Sequence, residues 1–201
     1  VDSKNAPWVL QKYLEDARGG AFHVHFFNDG YVRTTSSKYS TSSLDRAVHI
    51  TNDNVQRLGE DYGKFEDGNK LSIEELKSYL INQAKWPVSI WDSIEYQMKA
   101  LMIDAVRAAQ TKLNPRNIDN CFELFGFDFM LDASSRVWLI EVNTDPSLEV
   151  HNFHQGQLIP AMVDGIMRLT LDQIFGTPSA GAATGSTGCG GRRWERIWSS
   201  T

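Results

Sequence analysis

The stretch FELFGFDFMLDASSRVWLIEVN, residues 122–143, decides how the chain folds. Two apolar runs flank a short polar break from Asp132 to Arg136. Aromatic and β-branched residues dominate the runs and turn formers fill the break, which is the pattern of a β-hairpin. Side chains alternate across a strand. Gly126, Asp128 and Met130 therefore share one face of the first strand, and Phe125, Phe127 and Phe129 the other. In the second strand Val137, Leu139, Glu141 and Asn143 share a face, opposite Trp138, Ile140 and Val142. Closing the hairpin symmetrically on Ser134-Ser135 sets Asp128 opposite Glu141 and Asn143 opposite Gly126.

Directly opposed side chains have Cβ atoms about 4.5–5.5 Å apart. Two carboxylates at that distance repel unless something lies between them. A divalent cation is the economical answer: Mg²⁺ takes carboxylate and amide oxygens, keeps waters and bridges to phosphates. Gly126 leaves space for a phosphate or a second ion. The alternative, two solvated carboxylates on a wet sheet face, accounts neither for the neighbouring Met130 and Leu139 nor for the convergence of Asp, Glu and Asn. A register slip of one residue removes the opposition altogether.

The 201 residues suffice for one sizeable core or two small subdomains. A net charge of −5 argues against nucleic acid as a partner. The two cysteines, Cys121 and Cys189, form neither a disulfide framework nor a zinc spacing, which points to a reducing compartment. No signal-peptide pattern opens the chain and no apolar run reaches membrane-spanning length, so no membrane association is expected. The chain starts at Val1 and runs straight into WVLQKYL, as a piece of a longer protein would.

Trp8 to Leu14 reads as a short strand with a polar handle at Gln11. Ala21 to Phe27 alternates, and Asn28-Asp29-Gly30 turns it into Tyr31–Thr34, which predicts a second hairpin with left-handed residues at the turn. His23 and His25 share a strand face and read as solvated. Asp45 to Asn52 is expected to be a short strand, and Gly59 to Lys70 an exposed charged loop. Ser72-Ile73-Glu74-Glu75 is a capping box that starts a helix to about Ala84. Apolar residues at helical spacing predict a core-packing helix from about Ser89 to Leu113 and a last helix from Pro160 to Phe175. One unit is expected over 1–176. From 177 to 201 a Gly/Ala/Ser/Thr-rich stretch predicts a flexible tail, and the basic, aromatic end from Arg192 to Trp198 reads as a stray extension.

FELFGFDFMLD followed by VWLIEVN resembles the C-terminal half of the tubulin–tyrosine ligase-like proteins, within the ATP-grasp ligases. WVLQKYL, GYVRTTSSKY, LDRAVHITNDNVQ and EDYGKFEDGNKLS resemble further blocks of that family in family order, so the likeness runs from about Trp8 to Phe175. It implies an α+β, ATP-grasp-like C-terminal subdomain, with an antiparallel sheet carrying both hairpins and helices behind it. The implied activity is an ATP-dependent ligase that adds a free amino acid to tubulin or microtubules, with glutamate expected ahead of tyrosine or glycine. A cytoplasmic place, at the cytoskeleton or cilium, follows. By family pattern Asp128, Glu141 and Asn143 hold Mg²⁺, with Glu141 and Arg33 as catalytic residues; Arg33 faces the phosphates and the developing acyl phosphate. Thr51, Asn52 and Asn143 are implied at the nucleotide and amino-acid end of the site, and Gln11 and Lys12 near the adenine of ATP.

These residue types suit the chemistry. A carboxylate is a poor electrophile, so ATP first converts it to an acyl phosphate, which an amine then attacks. A cation on the phosphates and an arginine on the transferring group stabilise that first step. The chain also departs from the family. Between Tyr13 and Phe22 the family carries a longer segment with a basic-x-acidic-x-Arg strand, reduced here to LEDARGGA, and no lysine stands at the start of the last helix. The alternative reading is a catalytically incompetent tubulin-binding fragment or pseudoenzyme. Docking of acidic tubulin tails is expected at a local basic patch drawn from Arg33, Lys38, Arg46, Arg57 and Lys64.

Overall fold

In the computed structural model, the structure describes residues 15–18, 21–116, 118, 120–176 and 194–200. Gln11 and Lys12 lie outside them, as does the low-complexity stretch from 177 to 193. The architecture is α+β. Strands β1 (Glu15–Arg18), β2 (Ala21–Phe27), β3 (Tyr31–Arg33), β4 (Lys70–Ser72), β5 (Cys121–Glu123), β6 (Gly126–Leu131), β7 (Val137–Asn143) and β8 (Trp194–Ser199) form three antiparallel sheets. One has the order β5-β1-β2-β8; the others are the pairs β3-β4 and β6-β7. The helices are α1 (Arg46–His49), α2 (Asp53–Gln56), α3 (Ile73–Asn82), α4 (Ile90–Leu113), α5 (Phe153–Leu169) and α6 (Leu171–Phe175).

The central hairpin forms as β6 and β7, with Asp128 opposite Glu141 and Asn143 opposite Gly126. Its near half differs from the symmetric closure. Phe129 faces Leu139 and Leu131 faces Val137, so Ile140 is an extra residue that bulges out of β7. The cause lies at the turn. Ser135 is left-handed at φ 65°, and Asp132 N–H donates to Arg136 O at 3.0 Å, closing a three-residue loop. The Asp132 carboxylate accepts from Ser134 N at 2.8 Å, Ser134 Oγ at 2.6 Å, Arg136 N at 3.1 Å and Trp138 Nε1 at 2.8 Å. Those bonds hold its pKa far below the usual carboxylate value. The bulge moves Val137 and Leu139 away from the face of Glu141 and sets them against Leu131 and Phe129 of the core.

The expected second hairpin does not form. None of Asn28, Asp29 and Gly30 has a positive φ, and β3 leaves β2 to pair with β4, Arg33 opposite Lys70. The expected single sheet is therefore three. Gly59–Lys70 is not wholly an exposed loop either: it ends in a 3-10 turn, Asp67–Asn69, and Asn69 and Lys70 are buried. Gly68 takes φ 61° there, where a side chain would be strained. The expected strand from Asp45 to Asn52 is helical instead. Asp45 caps α1 by accepting from Ala47 N at 2.9 Å, and Asn52 caps α2 by accepting from Asn54 N at 2.9 Å.

The capping box at Ser72–Glu75 starts α3 as read from the sequence, and α4 follows Ser89 as expected. The helix expected from Pro160 to Phe175 is two: α5 begins seven residues before Pro160 and gives way to α6 at Thr170, whose hydroxyl donates to Ile166 O at 2.7 Å. The early start comes from Asn152, which accepts from Gln155 N at 2.8 Å. Val24, Phe26, Phe27, Phe127, Phe129 and the inner faces of α3, α4 and α5 form one core. Gln97 of α4 clamps the hairpin to it, donating to Ser135 O at 3.0 Å and accepting from Val137 N at 3.1 Å.

The chain end read as a stray extension is β8, the edge strand beside β2. Its composition is compatible with a strand because it carries two tryptophans and an isoleucine, residues that favour strands. Trp194 is 3% exposed, lies 5.0 Å from the Phe27 ring and donates Nε1–H to Met162 O at 3.1 Å. Lys99 of α4 holds Glu195 at 2.7 Å. Trp194→Ala should lower stability by about 3–5 kcal/mol through the cavity it leaves, read as a shift in the urea midpoint. An unchanged midpoint would mean that β8 is not part of the cooperative unit.

Candidate functional site

Asp128 sits on β6 between two buried phenylalanines and is itself 3% exposed. A carboxylate so far from water needs a counter-charge. Arg33 of β3 supplies it: Nη2 donates to Asp128 Oδ2 at 2.6 Å, with both side chains largely buried. Arg33 thus points inward and does not belong to a surface patch with Lys38, Arg46, Arg57 and Lys64, which are exposed. Glu141 opposes Asp128 but stands exposed, and Asn143 is half-buried two residues further along β7. The hairpin therefore holds one dry carboxylate tied to an arginine and one wet carboxylate across from it.

Thr51 and Asn52 enter the same neighbourhood through the residue that follows them. Asp53 accepts from Lys70 Nζ at 2.6 Å, and Lys70 lies across β3-β4 from Arg33. Thr51 is buried; Asn52 is exposed, its amide oxygen engaged in capping α2. Gln56, almost wholly buried, stitches the segment together by donating to Ala47 O and Ile50 O and accepting from Ser36 N and Asn69 Nδ2.

The sequence reading passed over Tyr31, Asp53 and Lys70. Tyr31, two residues before Arg33 on β3, has its phenol pushed up to about 12, chiefly by burial; Arg33 pulls it down, and Asp128 and Asp53 push it up. Asp53 was open to inference as the acid next to Thr51-Asn52. Lys70 was not, because only the pairing of β3 with β4 brings it opposite Arg33. His23 makes a hydrogen bond of 2.9 Å with Ser199 Oγ, a strand contact. A separate groove of about 520 Å³, lined by Phe22, Leu113, Ile118, Phe122 and Phe125 among others, includes none of these site residues.

The donor set suits a hard cation. Asp128, Glu141 and Asn143 offer only oxygens, two of them carboxylates, and leave coordination positions for water or phosphate, as Mg²⁺ prefers. Among the described residues no group of three or more His, Cys, Asp and Glu side chains is placed to hold a metal ion.

The family model for the tubulin-tyrosine ligase family matches residues 19–178. The chain belongs to the tubulin-tyrosine ligase family. It is 28% identical over 193 residues to protein monoglycylase TTLL8 of Homo sapiens, covering 85% of this chain and 22% of that protein. It is 31% identical over 210 residues to tubulin monoglutamylase TTLL4 of Homo sapiens, covering 88% and 18%. It is 28% identical over 161 residues to the inactive polyglycylase TTLL10 of Homo sapiens, covering 77% and 23%. The chain thus spans about a fifth of the length of the curated relatives it matches. Glycylases are at least as frequent among them as glutamylases, which removes the ground for expecting glutamate first. Among the described residues, no helix of this family member is long and apolar enough to cross a membrane.

Tyr31 gives the site a pH signature. In the unfolded chain its phenol ionises near its ordinary value of 10; in the fold it holds its proton until about 12. Its contribution to stability is full below pH 10 and is lost as the pH rises through about 12. Tyrosinate absorbance should show a late-titrating component that Tyr31→Phe abolishes. A titration in which all tyrosines ionise together would contradict this environment.

Proposed function

We propose that this chain is the metal-binding C-terminal part of an ATP-dependent ligase that joins a free amino acid to tubulin. The observation that carries the proposal is the convergence of Arg33, Asp128 and Glu141 in a member of this family. Asp128, Glu141 and Asn143 would hold Mg²⁺. Bound there with ATP, the ion would neutralise the β- and γ-phosphates while a carboxylate is activated as its acyl phosphate. Arg33, anchored on Asp128, would keep its remaining N–H donors for the transferring phosphoryl group. Thr51 and Asn52 would border the nucleotide and amino-acid end, and Gln11 and Lys12 the adenine. Glycine is at least as well supported as glutamate as the amino acid added, since relatives named for either addition match this chain. Exposed Lys38, Arg46, Arg57 and Lys64 would meet the acidic tubulin tails, and the protein would work at the cytoskeleton or cilium.

A second reading is a tubulin-binding protein without ligase activity. It is favoured by the short connection from β1 to β2, where the family carries its basic-x-acidic-x-Arg strand, and by an inactive relative among the matches. An assay of the complete protein with Mg²⁺–ATP, tubulin and labelled glycine, glutamate or tyrosine separates the two. Incorporation of one label supports the ligase. Tubulin binding with no incorporation supports the second reading.

The two carboxylates are expected to respond differently when changed. Glu141→Ala should abolish incorporation and the thermal stabilisation by Mg²⁺–ATP, while the melting temperature without metal stays level or rises, because a carboxylate opposed to Asp128 is gone. Asp128→Asn should also abolish activity but lower that melting temperature, because Arg33 loses its buried partner. Normal Mg²⁺–ATP stabilisation in Glu141→Ala would remove Glu141 from the metal site.

A further inference from the structure

Strands β3 and β4 set Arg33 directly opposite Lys70. Side chains so placed share a face and lie about 4.5–5.5 Å apart at Cβ, where like charges destabilise a sheet. Each cation therefore needs an anion of its own. Arg33 has Asp128 at 2.6 Å, and Lys70 has Asp53 at 2.6 Å together with Gly68 O at 3.1 Å. The Lys70 side chain is only 2% exposed. Burying an ammonium is costly, and a buried pair adds little net stability over well-packed apolar residues. What such a pair can supply is a choice between arrangements.

A rival arrangement exists. Arg33 Nε and Asp53 Oδ1 are both buried and without a hydrogen-bond partner among the described residues, a spare donor and a spare acceptor of opposite charge. Both lie in the electrostatic neighbourhood of the Tyr31 phenol, as does Asp128. Asp53, held by Lys70 at 2.6 Å, is the carboxylate that the pairing of Arg33 with Lys70 brings to the Arg33 side of the sheet. Its other cation, Arg57, is further away at 3.7 Å and about half exposed.

We infer that Lys70 is a positioning residue: by neutralising Asp53 it keeps the Arg33 guanidinium committed to Asp128 and aimed at the opposed pair Asp128–Glu141. This rests on the ligase reading for its consequence in turnover, but not for the charge arrangement itself. Without Lys70, Asp53 competes for Arg33, and Asp128 loses its counter-charge beside Glu141.

The test uses the complete protein with Lys70→Met and with the double change Asp53→Asn, Lys70→Met. Lys70→Met should lower kcat about tenfold or more, as displacement of a transition-state contact does, with KM for Mg²⁺–ATP little changed. The double variant removes the rival carboxylate and should recover to within about threefold of wild type, a non-additive outcome expected only for coupled groups. A double variant at least as impaired as Lys70→Met would make Lys70 a packing residue and overturn the inference. Tyrosinate absorbance reads the same question without turnover. The late Tyr31 ionisation should move higher in Lys70→Met, where the Asp53 charge is uncompensated, and return to the wild-type position or below in the double variant. An unmoved titration overturns the inference. If wild-type protein ligates no amino acid, the ligase reading fails and the Tyr31 titration alone decides the role of Lys70. If neither variant folds by far-UV circular dichroism, Lys70→Arg, which keeps the charge, must retain the wild-type titration; a displaced one overturns the inference.

Discussion

The ion pair between Arg33 and Asp128 is the contact on which the rest depends. Asp128 lies in the middle of a strand whose other face is a row of phenylalanines in the core. That position takes its carboxylate out of water, at a cost that only a close cation offsets. The cation comes from β3, a strand of a different sheet. One contact of 2.6 Å therefore links two sheets and sets the register in which the β6-β7 hairpin meets the β3-β4 pair. The pair is not a strong source of stability by itself. It specifies which of several compact arrangements the acidic and basic residues adopt.

The hairpin shows how a local irregularity serves such a site. An even ladder would have put Val137 and Leu139 on the same face as Glu141, mixing apolar and acidic side chains. The bulge at Ile140 separates them. Below it, Val137 and Leu139 pack on the core; above it, Glu141 and Asn143 face Asp128 and Gly126. The turn that forces the bulge is held by the Asp132 carboxylate, which satisfies two backbone amides, a hydroxyl and an indole. Gln97 then fixes the turn to the longest helix. The Asp128–Glu141 opposition is thus carried by a rigid mount and not by a loop.

The likeness to glycylases and glutamylases, and to an inactive relative, is consistent with a scaffold that carries different specificities. The chain spans only about a fifth of these relatives, and amino-acid choice is a matter for side chains that touch the acceptor and the incoming amine. The charge arrangement around Asp53, Lys70, Arg33 and Asp128 is a property of the described residues themselves.

Much of this was legible in the sequence. Symmetric closure on Ser134-Ser135 paired Asp128 with Glu141 and Asn143 with Gly126, and the pairing holds because the bulge at Ile140 offsets the three-residue turn. The capping box at Ser72 and the stripe from Ile90 to Ala105 fixed two helices, because hydrogen bonds at a helix end and a 3.6-residue period are local facts. Arg33, Thr51 and Asn52 stand in stretches that resemble blocks of the family. What the sequence could not state was which strands pair at a distance. Asn28-Asp29-Gly30 looks like a hairpin turn, yet β3 joins β4 some forty residues later, since burial of Val32 and the Arg33–Asp128 contact outweigh a local turn preference. Likewise the end of the chain carries a strand composition, but only the open edge of β2 and the slot beside Phe27 decide that Trp194–Ser199 folds there. Local periodicity determined the strands of the central hairpin and the helices α3 and α4, and the turn with its bulge set the opposed carboxylates. Tertiary packing, which must find a counter-charge for each buried ion and a partner for each open edge, decided that Arg33 answers Asp128 and Lys70 answers Asp53.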